Sequence, residues 1–179
     1  MPNIRFETDK QIIIITTQME NSTQLANRFR EVLLNGKWIA NTNYKEQLAD
    51  VTWEQATHKI GSLNTIAALT FHINYYIAGV ADFFENGSLV IRDKYSFDMP
   101  PVQSKDDWEK LMNELLTNSE RFAKHVESMS AEQLEAIFVH EKYGTYRRSI
   151  EGTIEHSYYH LGQISLIKKM ILEQNENRI

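Results

Sequence analysis

The 179-residue chain has no cysteine, so it can form no disulfide bond and can offer no thiolate to a metal. Any metal site must therefore use histidine, aspartate or glutamate. Proline and glycine are also scarce, at 3 and 7 residues, which favours a few long helices over many short strands. The most apolar N-terminal run, Ile12–Ile15, is too short for a signal-peptide core or a membrane span. We therefore expect a cytoplasmic protein that does not enter membranes.

The chain also lacks an excess of positive charge, because it has 19 Lys and Arg residues but 24 Asp and Glu residues, which gives a net charge of -5. Nucleic-acid affinity comes largely from phosphate neutralisation by clustered basic residues, so we expect no nucleic-acid partner. The hydrophobic fraction of 42% and the charged fraction of 24% are ordinary for a globular protein. A chain of this length is most simply one domain, covering residues 1–179.

Four long segments have the apolar period and the end signals of amphipathic helices. They are predicted at Met19–Leu34, about Asn64–Phe84, Ser104–Met129 and about Arg148–Glu173. Shorter helical pieces are predicted within 37–51, from Thr52 to Lys59 and after Ser130. Two of these begin with capping-box patterns, Thr52–Gln55 and Ser130–Gln133.

Three segments are ambiguous or irregular. Ile12–Ile15 fits either a strand or a first helical turn, Ile137–Tyr146 fits either a small β-hairpin or an irregular excursion, and Asn175–Ile179 is expected to fray. Ser88–Gln103 is longer than a turn between antiparallel neighbours needs, so it indicates a crossover between the second and third long helices. The fold class predicted is therefore all-α, a four-helix bundle with a long crossover between helices 2 and 3.

The most informative motif is a pair of histidines, His156 and His160, in the last long helix. Residues four apart lie on the same helix face with Cβ atoms about 6 Å apart, so both imidazoles can reach one divalent ion. A third ligand must come from elsewhere, and the best candidate is His72 within an apolar helical run. Three neutral imidazoles with a fourth position left for water describe an open metal site.

Each histidine also has a simpler interpretation. His156 and His160 can be a coincidental pair on a helix face, and His72 can be a single core histidine satisfied by a hydrogen bond. Small residues on the face of the His72 helix, which carries Thr65, Ala68 and Gly79, are expected to let this helix approach the last helix closely, together with Gly152 and Gly162. The other histidines, at 58, 125 and 140, are weaker candidates, and Glu155 is expected to form a surface salt bridge.

Three further residues are candidates for the surroundings of the site. Gln163 lies on the face of the two histidines and can hydrogen-bond an imidazole or a bound water, or instead face a loop. Tyr76 is expected to reach a cavity near His72. Trp53 belongs to an aromatic set that is mainly core but can also form a pocket wall.

At these residues the chain resembles the DinB-like (DinB/YfiT-like) family of metalloenzymes. The resemblance rests on His72 in the second long helix and on the H-x-x-x-H-x-G-Q pattern formed by His156, His160, Gly162 and Gln163. It covers about residues 20–172. It implies an up-down-down-up bundle, a three-histidine site for nickel, zinc or a similar divalent ion, and a homodimer. The segment Leu89–Pro101 is outside the pattern, and it is a candidate for shaping a substrate pocket.

The resemblance also implies an activity, that of a metal-dependent transferase or isomerase that uses a low-molecular-weight thiol. A thiol would have to come from a cosubstrate, because the chain has no cysteine. Metal-assisted hydrolysis is a close variant. The alternative is a stress-response module that binds a metal or a small ligand without turnover. Three histidines suit zinc, nickel, copper or iron, so the residues do not select the ion.

Overall fold

A computed structural model describes residues 22–176, and every regular element in that range is helical, as predicted. In chain order the α-helices are α1 (residues 22–30), α2 (Tyr44–Leu48), α3 (Trp53–Thr57), α4 (Ile66–Asn86), α5 (Lys105–Glu127), α6 (Ala131–Glu135) and α7 (Tyr146–Glu176). A π-helical turn, Glu31–Asn35, extends α1, and two 3₁₀ turns occupy Asp93–Tyr95 and Glu141–Tyr143. The ambiguous run Ile12–Ile15 lies outside the described residues.

The helix ends follow the predicted capping signals. Thr52 accepts a hydrogen bond from the backbone of Gln55, whose side chain accepts one from the backbone of Thr52, so the predicted capping box is confirmed. Ser104 caps α5 by accepting a hydrogen bond from the backbone N–H of Asp107, and Thr65 caps α4, which begins at Ile66, two residues later than predicted. Gly87 ends α4 in the left-handed conformation, with φ of 70°, which glycine adopts without strain.

Helix α4 is packed against both α5 and α7. Contacts between α4 and α5 advance together along both sequences, so these two helices run in the same direction. The contacts join Asn74 to Asn118, Asp82 to Arg121 and Glu85 to His125. Contacts between α4 and α7 advance in opposite senses, so these helices are antiparallel. They join His72 to His156 and Phe83 to Tyr146.

Helix α1 completes the core against α5 and α7. Arg30 pairs with Glu120 and Glu127 of α5, and Glu31 accepts a hydrogen bond from Tyr158 of α7. The aromatic rings of Phe29 and Phe122 lie 4.3 Å apart between centroids. The largest fully buried side chains come from several of these helices: Trp108, Tyr44, Phe29, Phe122, Leu33, Ile66, Leu69, Ile73, Ile77, Leu115, Leu134 and Ile150. No helix within residues 22–176 is long and apolar enough to span a membrane.

The segment 137–146 forms the irregular excursion rather than the β-hairpin. A single antiparallel bridge joins Ile137 to Thr145, and no named strand is present in the described range. The 3₁₀ turn Glu141–Tyr143 and the left-handed backbone of Val139, with φ of 57°, prevent the bridge from extending into a ladder.

The prediction that glycines bring α4 and α7 together is wrong. A methyl group added at Gly79 would lie 2.2 Å from Cγ2 of Ile91, so this glycine admits the α4–α5 connection and not α7. Gly162 is exposed with nothing within 4 Å of an added Cβ, and at Gly152 the nearest atom is Nη1 of Arg148 at 3.7 Å. The helices meet through other side chains instead.

We expect alanine to have opposite effects on stability at Gly162, which is exposed, and at Gly79, which contacts Ile91. Gly162→Ala should raise the free energy of unfolding by about 0.5–1 kcal/mol, because alanine restricts the unfolded chain and favours helix. Gly79→Ala carries the same gain but forces Ile91 and its segment away from α4, a cost of about 1–3 kcal/mol. Urea unfolding at neutral pH should show Gly79→Ala less stable than the wild type. Equal stabilisation by both substitutions would contradict the contact between Gly79 and Ile91.

Candidate metal centre

Three histidine side chains converge between α4 and α7. Nε2 of His156 lies 3.3 Å from Nε2 of His72 and 2.8 Å from Nε2 of His160. The potential ligand atoms of the three residues all lie within 4.8 Å of one another. His72 and His160 are 7% and 6% exposed, and His156 is half-buried. His156 and His160 are adjacent because they are four residues apart on α7, and His72 joins them through a contact across 84 residues. All three predicted candidates are therefore in the cluster.

Hydrogen bonds define which nitrogen of two rings faces the centre. Nδ1 of His72 lies 3.3 Å from the backbone oxygen of Ser96, and Nδ1 of His160 lies 2.6 Å from Oε1 of Gln163. A carbonyl oxygen only accepts, so each Nδ1 must carry the proton and donate it. The Nε2 lone pairs are then free and point toward His156. This division of the two ring nitrogens is the usual one for a metal-ligating histidine.

These inner nitrogens suit a cation, because a neutral His156 can donate one N–H at most, to one of the two lone pairs that face it. Two neutral imidazoles that present lone pairs to each other repel, unless a proton or a metal ion lies between them. Ligand nitrogens at about 2.0–2.1 Å from a tetrahedral ion are about 3.3 Å apart. The separation between His72 and His156 matches that value, and the separation between His156 and His160 is somewhat shorter. The donor set therefore fits a divalent ion.

The surroundings keep these imidazoles neutral near pH 7. Burial, followed by the positive charges that His160 and His72 would carry, lowers the pKa of His156 to about 4. Burial also lowers the pKa of His72 and of His160. A metal ion competes with protons for the same lone pairs, so lowered pKa values leave the ligands available at neutral pH.

Aromatic side chains surround His72. The ring of Tyr76 lies 5.1 Å from that of His72 and 5.5 Å from that of His156, so Tyr76 lies beside the cluster. Its hydroxyl donates to Oδ1 of Asp93 at 3.0 Å. Phe97 stacks on His72 with centroids 4.1 Å apart and planes 15° from parallel. The roles of Ser96 and Phe97 were missed from the sequence, where only the length of their segment was informative.

The remaining pocket candidates differ in position. Gln163 contacts His160 directly, and it also lines a cavity of about 330 Å³ beside the cluster. That cavity is lined by Ser62, Leu63, Asn64, Leu69, Gln163, Leu166 and Ile167. Trp53 lines a separate cavity of about 410 Å³, together with Trp108 and Met112, and none of the three histidines lines either cavity.

The other candidates from the sequence lie elsewhere. Glu155 forms the predicted helix-surface salt bridge, with Arg148 at 3.0 Å. His125 pairs with Glu85 at 2.9 Å, and His58 contacts Gln174 at 3.3 Å. His140 accepts a hydrogen bond from a neighbouring backbone N–H. Within residues 22–176 these groups do not join the three-histidine cluster.

Comparison with known proteins identifies a family. The model of the DinB superfamily matches residues 40–164, which include the three clustered histidines and Gln163. Neither curated proteins nor solved structures give a significant match.

The lowered pKa of His156 predicts a pH dependence in metal-free protein. An unfolded histidine titrates near 6.5 and folded His156 near 4, so the unfolded chain binds more protons between these values. The stability contributed by neutral His156 is therefore full above pH 6.5 and falls as the pH drops toward 4. The difference between the urea unfolding midpoints at pH 7.5 and at pH 5 should be smaller in His156→Gln than in the wild type. The exposed-site variant His140→Gln should keep the wild-type difference, and an unchanged difference in His156→Gln would contradict the prediction.

Proposed function

This chain belongs to the DinB superfamily, and we propose that it is a metal-dependent enzyme in which His72, His156 and His160 bind one divalent ion. The observation that carries the proposal is the convergence of three Nε2 atoms, two of them on rings whose Nδ1 is hydrogen-bonded. Zinc and nickel both suit three imidazoles, and the donor set does not choose between them.

The residues around the cluster have distinct roles in this proposal. Gln163 fixes the tautomer of His160, and the backbone of Ser96 fixes that of His72. Three protein ligands leave an open position, where a bound ion would lower the pKa of a coordinated thiol or water and supply a nucleophile near neutral pH. The cavity beside Gln163 has no charged lining residue, so it suits the uncharged body of a small-molecule substrate.

A thiol-dependent transfer is the activity we propose for this site. The chain has no cysteine, so a low-molecular-weight thiol would be the cosubstrate, with its sulfur attacking the electrophilic substrate. Hydrolysis by a coordinated water is the variant of the same chemistry. Tyr76, with its hydroxyl held by Asp93, places a protonatable group beside the cluster, which favours catalysis over binding alone.

Binding of a metal or a small ligand without turnover is the second candidate. It is favoured by the uncharged lining of the neighbouring cavity, which offers no acid or base of its own. In that case the protein would retain the ion and its ligand but would not turn over substrates.

We also propose the arrangement in which this site is presented. The contact directions among α1, α4, α5 and α7 support an up-down-down-up four-helix bundle. From the chain length we propose that residues 1–179 form one domain. The connection between α4 and α5 would be the crossover of this bundle. A cytoplasmic homodimer is proposed from the sequence and the family.

The first prediction from this proposal concerns metal content. Protein purified without a histidine tag and loaded with zinc or nickel should hold one ion per chain by elemental analysis. Alanine at His72, His156 or His160 should weaken binding by more than the roughly 10–100-fold that loss of a residue supporting a ligand costs. His58→Ala is the matched control and should bind as the wild type does. Absence of bound metal, or equal weakening in the control, would contradict the three-histidine site.

A second prediction separates catalysis from binding. Cobalt-loaded protein should develop a thiolate-to-cobalt absorption band when 2-mercaptoethanol is added. The same protein should accelerate arylation of that thiol by 1-chloro-2,4-dinitrobenzene, in which sulfur bonds to the ring carbon and chloride leaves. His160→Ala should abolish both effects. Metal binding with no thiolate band and no turnover, here or with hydrolysable esters, would favour the non-catalytic alternative.

A further inference from the structure

The segment Ile91–Phe97, hereafter the strap, is fastened along the face of α4 that carries His72. Ile91 packs on Gly79, where the missing side chain leaves room for it. The hydroxyl of Tyr75 both donates to the backbone oxygen of Arg92, at 3.0 Å, and accepts from its N–H, at 2.9 Å. These contacts hold the first residues of the strap to α4 over more than a helical turn.

The remaining strap residues reach the cluster itself. Asp93 accepts a hydrogen bond from Tyr76, whose ring lies against both His72 and His156. Ser96 is 3% exposed, and its backbone oxygen accepts from Nδ1 of His72. Phe97 lies flat on one face of the same imidazole. One histidine is thus contacted by the strap on its ring face and at its outer nitrogen.

These two contacts together determine the orientation of the ring. Stacking on Phe97 fixes the plane of the imidazole, and the Ser96 carbonyl determines which nitrogen points away from the cluster. A rotation of the ring by 180° would replace Nδ1 with a carbon in front of Ser96 and would turn Nε2 away from His156. Each alternative orientation therefore loses a hydrogen bond or the stacking contact.

We propose that the strap is a positioning device for His72, in which Phe97 and the Ser96 carbonyl hold Nε2 toward His156 and His160, and that Phe97 is a positioning residue of the site. The proposal rests on the proposed function only in taking Nε2 as the atom that binds the ion. His156 and His160 are related by one helical turn of α7, whereas His72 comes from another helix. His72 is thus the ligand whose placement depends most on tertiary contacts.

The exposure of Phe97 supports this role. Its side chain is 45% exposed, so its burial contributes less to the core than that of a fully buried phenylalanine. Tyr95 on the same strap is 44% exposed and its ring lies under the ammonium of Lys94. Tyr95 is therefore a matched control, an aromatic residue of equal exposure that is two positions away and does not stack on a histidine.

The first arm of the test uses metal-free protein. Long-range ¹H–¹⁵N spectra of the histidines should show His72 in one tautomer, with a protonated Nδ1 and an unprotonated Nε2. Phe97→Ala should lose this fixed pattern and give an averaged signal, whereas Phe97→Tyr, which can still stack, should keep it. Tyr95→Ala should match the wild type. Should Phe97→Ala fail to fold by circular dichroism, Phe97→Leu replaces it, because leucine keeps apolar bulk without a flat ring.

The second arm measures cobalt affinity and the visible spectrum of the cobalt-loaded protein. Phe97→Ala should bind cobalt on the order of 10-fold more weakly, with a changed spectrum, and Phe97→Tyr should restore the wild-type values. An unchanged His72 pattern in Phe97→Ala, or an equal loss in Tyr95→Ala, overturns the proposal. A third outcome separates the two proposals. If the wild type binds no cobalt but Phe97→Ala still loses the fixed His72 tautomer, the role of the strap is upheld and the proposed metal site is contradicted.

Discussion

The meeting of three imidazole Nε2 atoms between α4 and α7 is the constraint on which the site depends. Burying polar rings side by side is unfavourable unless each lone pair and each N–H has a partner. Ser96 and Gln163 supply acceptors for two outer nitrogens, and a cation is the natural partner for the inner ones. The antiparallel packing of α4 on α7 and the path of the strap both serve this one arrangement.

The α4–α5 connection contributes both to the topology and to the site. A crossover between parallel neighbours must return along the helices, and here its path carries the strap across the face of α4 that bears His72. The same residues that satisfy the topology therefore support the proposed ligand. The elements that support the other two histidines are local to α7, where Gln163 lies within one turn of His160.

The features predicted from the sequence are those with a local signal. Apolar period and capping residues give the helices, and the spacing of His156 and His160 within an apolar stripe gives two members of the cluster. His72 was found because a polar ring within an apolar helix needs a partner. Phe97, Ser96 and the contact of Gly79 with Ile91 arise from packing between distant segments, for which a single sequence has no periodic signal. Trp53 was grouped with the pocket candidates by its aromaticity, and it lines another cavity.

The central claim is that one ion is held by three imidazoles from two helices. X-ray absorption of zinc-loaded protein without a histidine tag measures this directly. The claim predicts three imidazole nitrogens at about 2.0–2.1 Å and two in His72→Ala. A first shell with no imidazole scattering, or one that is identical in the wild type and in His72→Ala, would contradict it.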